Sequence, residues 1–130
     1  MGIHKRDSIN FRTAEIRYEN ADYKGAIIGF TNYVNNFPQG TFALKAHFIK
    51  AESHSLLKEF DQALSSYDQV VSRGPSAYYQ IALKKAALIA YNHAQDFSKA
   101  LRYYQSLETL ATGSEALFEA QLGAMQSAYK

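Results

Sequence analysis

Three stretches of this chain recur at one fixed spacing. The segments DYKGAIIGF (Asp22 to Phe30), EFDQALSSY (Glu59 to Tyr67) and DFSKALRYY (Asp96 to Tyr104) follow one another at intervals of 37 residues. Such a period restricts a chain to stacked copies of one supersecondary unit, because a single copy cannot bury its own apolar face. The shared columns are Asp22/Glu59/Asp96, Tyr23/Phe60/Phe97, Ala26/Ala63/Ala100, Ile27/Leu64/Leu101 and Phe30/Tyr67/Tyr104, continuing into Tyr33/Val70/Leu107. The Ala column, the second aromatic column and the last apolar column stand at i, i+4 and i+7, the stripe of one helix face. Each copy therefore starts a helix.

Asp22 and Asp96 sit where an N-cap belongs, and Asp61 favours the same end of the middle helix through its dipole. Pro38 and Pro75, again 37 apart, close the first two of these helices, while the third copy has Thr112-Gly113. Second apolar-periodic segments rich in alanine lie between them: GTFALKAHFIKAESHSLL, SAYYQIALKKAALIAYNHA and GSEALFEAQLGAMQSAYK. The pattern predicts an all-α chain of seven helices, at about 7–20, 23–36, 41–58, 61–73, 76–94, 97–111 and 114–130, with short loops that make neighbours antiparallel.

Composition narrows the functional classes. At 130 residues with 47% hydrophobic and 20% charged, the chain suits one globular domain. A net charge of +2 with scattered charges points away from nucleic acid. Cysteine is absent, which excludes disulfides, thiolate catalysis and cysteine-held metal. No stretch reaches the roughly 18 to 20 apolar residues of a membrane span, so no membrane insertion by this segment is expected.

Alanine and aromatic helix pairs closed by proline resemble tetratricopeptide repeats. The resemblance implies an α-α superhelix over residues 1–130, with three helix pairs plus a final unpaired helix. The first helices of each pair depart from the family by lacking its Trp and Gly columns, carrying Ala14, Ala51 and Leu88 at the small position. The bridge NNFPQGTFALKAHFIKAES and the 37-residue spacing look like a bacterial envelope subgroup that includes periplasmic and outer-membrane-assembly repeat proteins. That likeness implies a periplasmic or envelope-associated scaffold. The last helix stops where a fourth partner helix is expected, so the chain reads as a fragment of a longer repeat protein.

Catalysis and metal binding find little footing. His47 and His54 are two helical turns apart, roughly 10.5 Å along the axis, too far to share one ion unaided. Ser and His are close in ESHSLL, but consecutive helical positions point in different directions. No nucleophile motif is present. The reading is a non-enzyme with no catalytic residue, metal or cofactor.

In the family the concave face is lined by the first helix of each pair. Carried onto this chain, the partner-binding positions are Phe11, Glu15, Tyr18, Lys45, Phe48, Glu52, Lys85, Asn92 and Tyr129, with Ser55, Ile89, Leu122 and Gln126 in the same columns. Exposed aromatics mixed with single charges suit a protein or peptide partner. The Lys/Asn pair by which chaperone-binding repeats hold a terminal carboxylate is not matched, because Phe11 and Glu15 occupy those positions. The alternative is a structural spacer or self-association segment, motivated by Leu117, Leu122 and Met125 on the last helix. Gly25 and Gly29 align with Gln62/Lys99 and Ser66/Tyr103, which predicts an outward face for both glycines.

Overall fold

The computed structural model describes residues 3–130. Seven helices follow one another: α1 (Ile3–Glu19), α2 (Tyr23–Asn36), α3 (Ala43–Leu56), α4 (Phe60–Ser72), α5 (Tyr79–Asn92), α6 (Phe97–Leu110) and α7 (Ser114–Ala128), with no strand among the described residues. The all-α repeat architecture is as expected. Helix α1 begins four residues earlier than the sequence pattern suggests, while α3 and α5 are shorter at both ends.

The junctions explain the period. Asp22 accepts a hydrogen bond from the Gly25 N–H at 3.0 Å, and Asp96 from the Lys99 N–H at 3.2 Å, so both cap the helices they precede. Their middle counterpart Glu59 instead lies 2.9 Å from His54 Nδ1, leaving Asp61 as the acidic residue of the first turn of α4. One residue before each acid, the backbone turns left-handed, at Ala21 (φ 62°), Lys58 (φ 61°) and Gln95 (φ 53°). In the first junction Ala21 N–H donates to Tyr18 O and Asp22 N–H to Arg17 O, the paired bonds of a Schellman helix end. Asp22 therefore closes α1 with its backbone and opens α2 with its side chain.

The third junction is one residue longer. Asp22 and Glu59 N–H groups each donate five residues back, to Arg17 O and His54 O, whereas Asp96 N–H donates six back, to Ala90 O, all at 2.8 Å. Helix α5 consequently sits one residue out of step with the period. Its small buried position is Ala87 at 0% exposure, not Leu88 at 48%, so the column runs Ala14, Ala51, Ala87. The expected place of Leu88 is corrected by this extra turn residue.

The chain divides into two compact units, Met1–Val70 and Val71–Lys130. In the first, the core joins Phe11 and Ala14 of α1 to Ala26, Phe30 and Tyr33 of α2 and Ala43, Ala46 and Ile49 of α3. The Phe11 ring stacks on Phe42 at 4.6 Å and meets Phe30 at 5.6 Å and Tyr33 at 5.7 Å. Buried Asp7 accepts a short hydrogen bond from the Tyr33 hydroxyl and one from Thr41 N–H at 3.2 Å, while the same hydroxyl accepts from Phe42 N–H at 3.0 Å. This network ties α1 and α2 to the turn that carries Phe42. Burial, followed by the hydrogen bond to Asp7, pushes the Tyr33 phenol up to about 12.

In the second unit, α5 buries Ala82, Leu83, Ala86, Ala87, Ile89 and Ala90, α6 buries Ala100, Tyr103 and Leu107, and α7 buries Ala120, Gly123, Ala124 and Ser127. Gly123 lies against the Tyr104 ring, where any side chain would collide. The outward placement expected for the first glycine pair is also corrected. Gly25 is buried beneath the Asp22 carboxylate, and Gly29 faces Ala14 across the α1–α2 contact.

Candidate functional site

Five of the predicted residues gather on the first unit, where helical spacing alone aligns them. Glu15 and Tyr18 stand one turn apart on α1, and Lys45, Phe48 and Glu52 occupy successive turns of α3. Lys45 joins the two helices, with Nζ 3.1 Å from Glu15 Oε2 and 5.7 Å from the Phe11 ring centroid. Arg12 reaches Glu15 at 2.6 Å and Glu19 at 3.1 Å. Burial disfavours the Glu15 charge, but hydrogen bonds from Arg12 and Lys45 outweigh it and hold this carboxyl below the usual glutamate value.

Helix α4 adds Tyr67, a member of the second aromatic column that the sequence analysis did not place among the partner-binding residues. Tyr67 donates its hydroxyl to the Glu52 carboxylate in a short hydrogen bond, and its ring meets Phe48 edge-on at 6.1 Å. Burial, then this hydrogen bond, pushes the Tyr67 phenol strongly up, and burial followed by the charge of Glu52 does the same to Tyr18. Tyr67 thus remains a protonated donor to the Glu52 carboxylate. Tyr18 packs edge-on against Tyr23 at 5.6 Å and, like Phe48, remains half-buried. The surface offers two aromatic rings, an oriented carboxylate and an ion-paired lysine.

Phe11 does not belong to it. At 3% exposure, stacked on Phe42, its ring is core, and the expected contact with a partner is corrected on that ground. The column places Phe11 on the inner side of the helix pair, but large rings at 30, 33 and 42 close over it.

On the second unit the extra turn residue displaces two further predictions. Lys85 is half-buried and Asn92 lies beyond the lining columns, each one position off. The columns begun by Phe11/Phe48, Glu15/Glu52 and Tyr18/Ser55 continue as Lys84, Leu88 and Tyr91. The ring pair Tyr91–Phe97, edge-on at 5.3 Å, repeats Tyr18–Tyr23 and fixes that register. A leucine in a column of alanines, beside the run Ala86-Ala87, was the signal available in the sequence. Helix α7 keeps the period: Ser53 and Ser127 each donate to the carbonyl four residues back, Ile49 and Gly123, at 2.8 Å. Tyr129 at its end is 86% exposed.

Among the described residues no group of three or more His, Asp or Glu is placed to hold a metal ion, and no helix is long and apolar enough to cross a membrane.

Compared by sequence, no family model and no curated protein matches the chain. Compared by structure, it is similar to a solved protein described as the first TPR of Spaghetti (RPAP3) bound to HSP90 peptide SRMEEVD. The TM-score is 0.69 at 19% identity, over 98% of this chain and 99% of that one. The chain has the fold of a tetratricopeptide-repeat domain.

Proposed function

We propose that the chain is a non-catalytic interaction module that binds a peptide or protein segment on the α1/α3 face of its first unit. The observation that carries this reading is the grouping of Phe48, Tyr18 and the Tyr67-held Glu52 carboxylate. Half-buried rings supply apolar contact at low entropic cost, and a preoriented acceptor selects for N–H donors. The solved protein of the same fold with a peptide bound supports the reading by analogy.

The contact set on the first unit is Glu15, Tyr18, Lys45, Phe48 and Glu52; on the second unit, taken by itself, Lys84, Leu88 and Tyr91 hold the columns assigned to Lys85 and Asn92, and Tyr129 is exposed. Glu15 is anionic and engages both Arg12 and Lys45, and Phe11 is buried, so the two positions that would carry a Lys/Asn pair for a terminal carboxylate do not supply one. The favoured peptide presents backbone N–H groups or a basic side chain to Glu52. The envelope setting suggested by the proline-containing bridge is part of the same proposal.

The test is binding of the whole chain to an immobilised random-peptide library, compared with Phe48→Ala and Glu52→Gln variants of verified fold. Loss of the selected peptides in both variants is the expected result. Unchanged selection by both would remove this face from the function.

A second reading rests on α7. Leu117, Leu122 and Met125 are 38%, 37% and 52% exposed, and such a face suits self-association. Light scattering over a concentration series separates the two, since a strict monomer would sink this one.

A further inference from the structure

The two units carry the same framework with different filling. In the first, the aromatic residues of the core cluster include these five: Phe11, Phe30, Tyr33, Phe37 and Phe42. The repeat register places Lys84, Tyr104, Leu107, Ala111 and Ala116 at the corresponding positions of the second. Four of the five rings are gone, and the fifth, Tyr104, remains. The result is a cavity of about 260 Å³ walled by Tyr104, Leu107, Ala111, Ala116 and Ala120, with Leu88, Lys84 and Glu119 also lining it.

We propose that this cavity receives an aromatic side chain of a peptide partner, with an acidic group beside that side chain paired to Lys84. The proposal deepens the peptide-binding reading above and rests on it. The first unit shows what the space accommodates: there the Phe11 ring lies stacked on Phe42 at 4.6 Å. The lost rings are replaced here by two alanines, a leucine and a lysine. A cavity of about 150 Å³ already accepts benzene, so this one admits a phenyl or phenol ring with its linking carbon.

Charge sets the orientation. Lys84 is exposed and, among the described residues, has no ion-pair partner, whereas Lys45 on the first unit is paired with Glu15. The position corresponding to Glu15 is Leu88, which adds apolar wall and leaves Glu119 of α7, not ion-paired to Lys84, as the one carboxylate among the lining residues. An incoming carboxylate supplies the missing charge, and the ring supplies the missing core contact.

The experiment follows amide NMR shifts of the whole chain with acetyl-Asp-Phe-Gly-amide, acetyl-Asp-Ala-Gly-amide and acetyl-Lys-Phe-Gly-amide. The first peptide is expected to shift the amides of Leu88, Leu107 and Ala120. The alanine peptide should not, and the lysine peptide should bind more weakly. Ala116→Phe, which restores the ring found at Phe42, should weaken binding of the first peptide by about tenfold or more while the fold persists. If that variant does not fold, Leu107→Phe fills the same space from α6.

Absence of shifts in the second unit at millimolar peptide, or binding undiminished in every folded filling variant, would overturn the proposal. Shifts confined to Tyr18, Phe48 and Glu52 would overturn the cavity assignment and leave the peptide-binding reading in place. Self-association abolished by filling the cavity, without peptide shifts, would assign the space to a second copy and overturn it equally.

Discussion

Gly29 sits directly against Ala14: a methyl group built on the glycine would come within 2.8 Å of the Ala14 Cβ and 3.3 Å of its Cα. The backbone of α2 approaches α1 at this point because neither side chain separates them. Gly29→Ala should therefore destabilise the chain by about 1 to 3 kcal/mol through overpacking, measured by denaturant unfolding. Gly25→Ala should cost less. There the obstacle is the movable Asp22 carboxylate, and Asp96 already caps Lys99, a residue with a full side chain.

The register of α5 gives a paired test. Ala87→Leu should overpack and lower stability by about 1 to 3 kcal/mol, whereas Leu88→Ala should stay within roughly 0.5 kcal/mol. Equal effects would contradict the displaced register. The same unfolding assay separates the two phenylalanines of one column. Phe11→Ala should cost about 3 to 5 kcal/mol as a core truncation, and Phe48→Ala clearly less.

Left-handed backbone at Ala21 predicts a gain. Alanine in this conformation costs roughly 1 kcal/mol that glycine does not, so Ala21→Gly should raise the melting temperature despite the greater freedom it gives the unfolded chain. A lowered melting temperature would contradict the Schellman junction.

Tyr33 makes stability fall in alkali. Its folded value of about 12 lies above the ordinary value of 10.0, so between these the unfolded state has lost the proton that the folded state keeps. Unfolding becomes easier as pH rises through this window, by about 1.4 kcal/mol per unit at most. Tyr67, raised for the same physical reason, adds to the slope. Tyr33→Phe should flatten it, and at neutral pH should cost about 1 to 3 kcal/mol because buried Asp7 loses its hydroxyl donor.

The sequence by itself determined the helix count, the fold and the columns, because helical periodicity and a fixed repeat are local properties that three copies state redundantly. It also located both side-chain caps, since an aspartate before a helical stripe has one evident use. What it could not supply was the state of any one position within a column. Phe11 and Phe48 share a column, yet Phe42 and Phe30 enclose the first while the second stays at the surface. A single additional turn residue before Asp96 moved every α5 position by one, which the hydrogen bond from Asp96 N–H to Ala90 O, the Tyr91–Phe97 ring pair and the burial of Ala87 together establish. The hydroxyl of Tyr67 on Glu52 joins residues from two different helices. Tertiary packing decided these matters because burial and partnership depend on what neighbouring helices place alongside, and a periodic pattern carries no record of that.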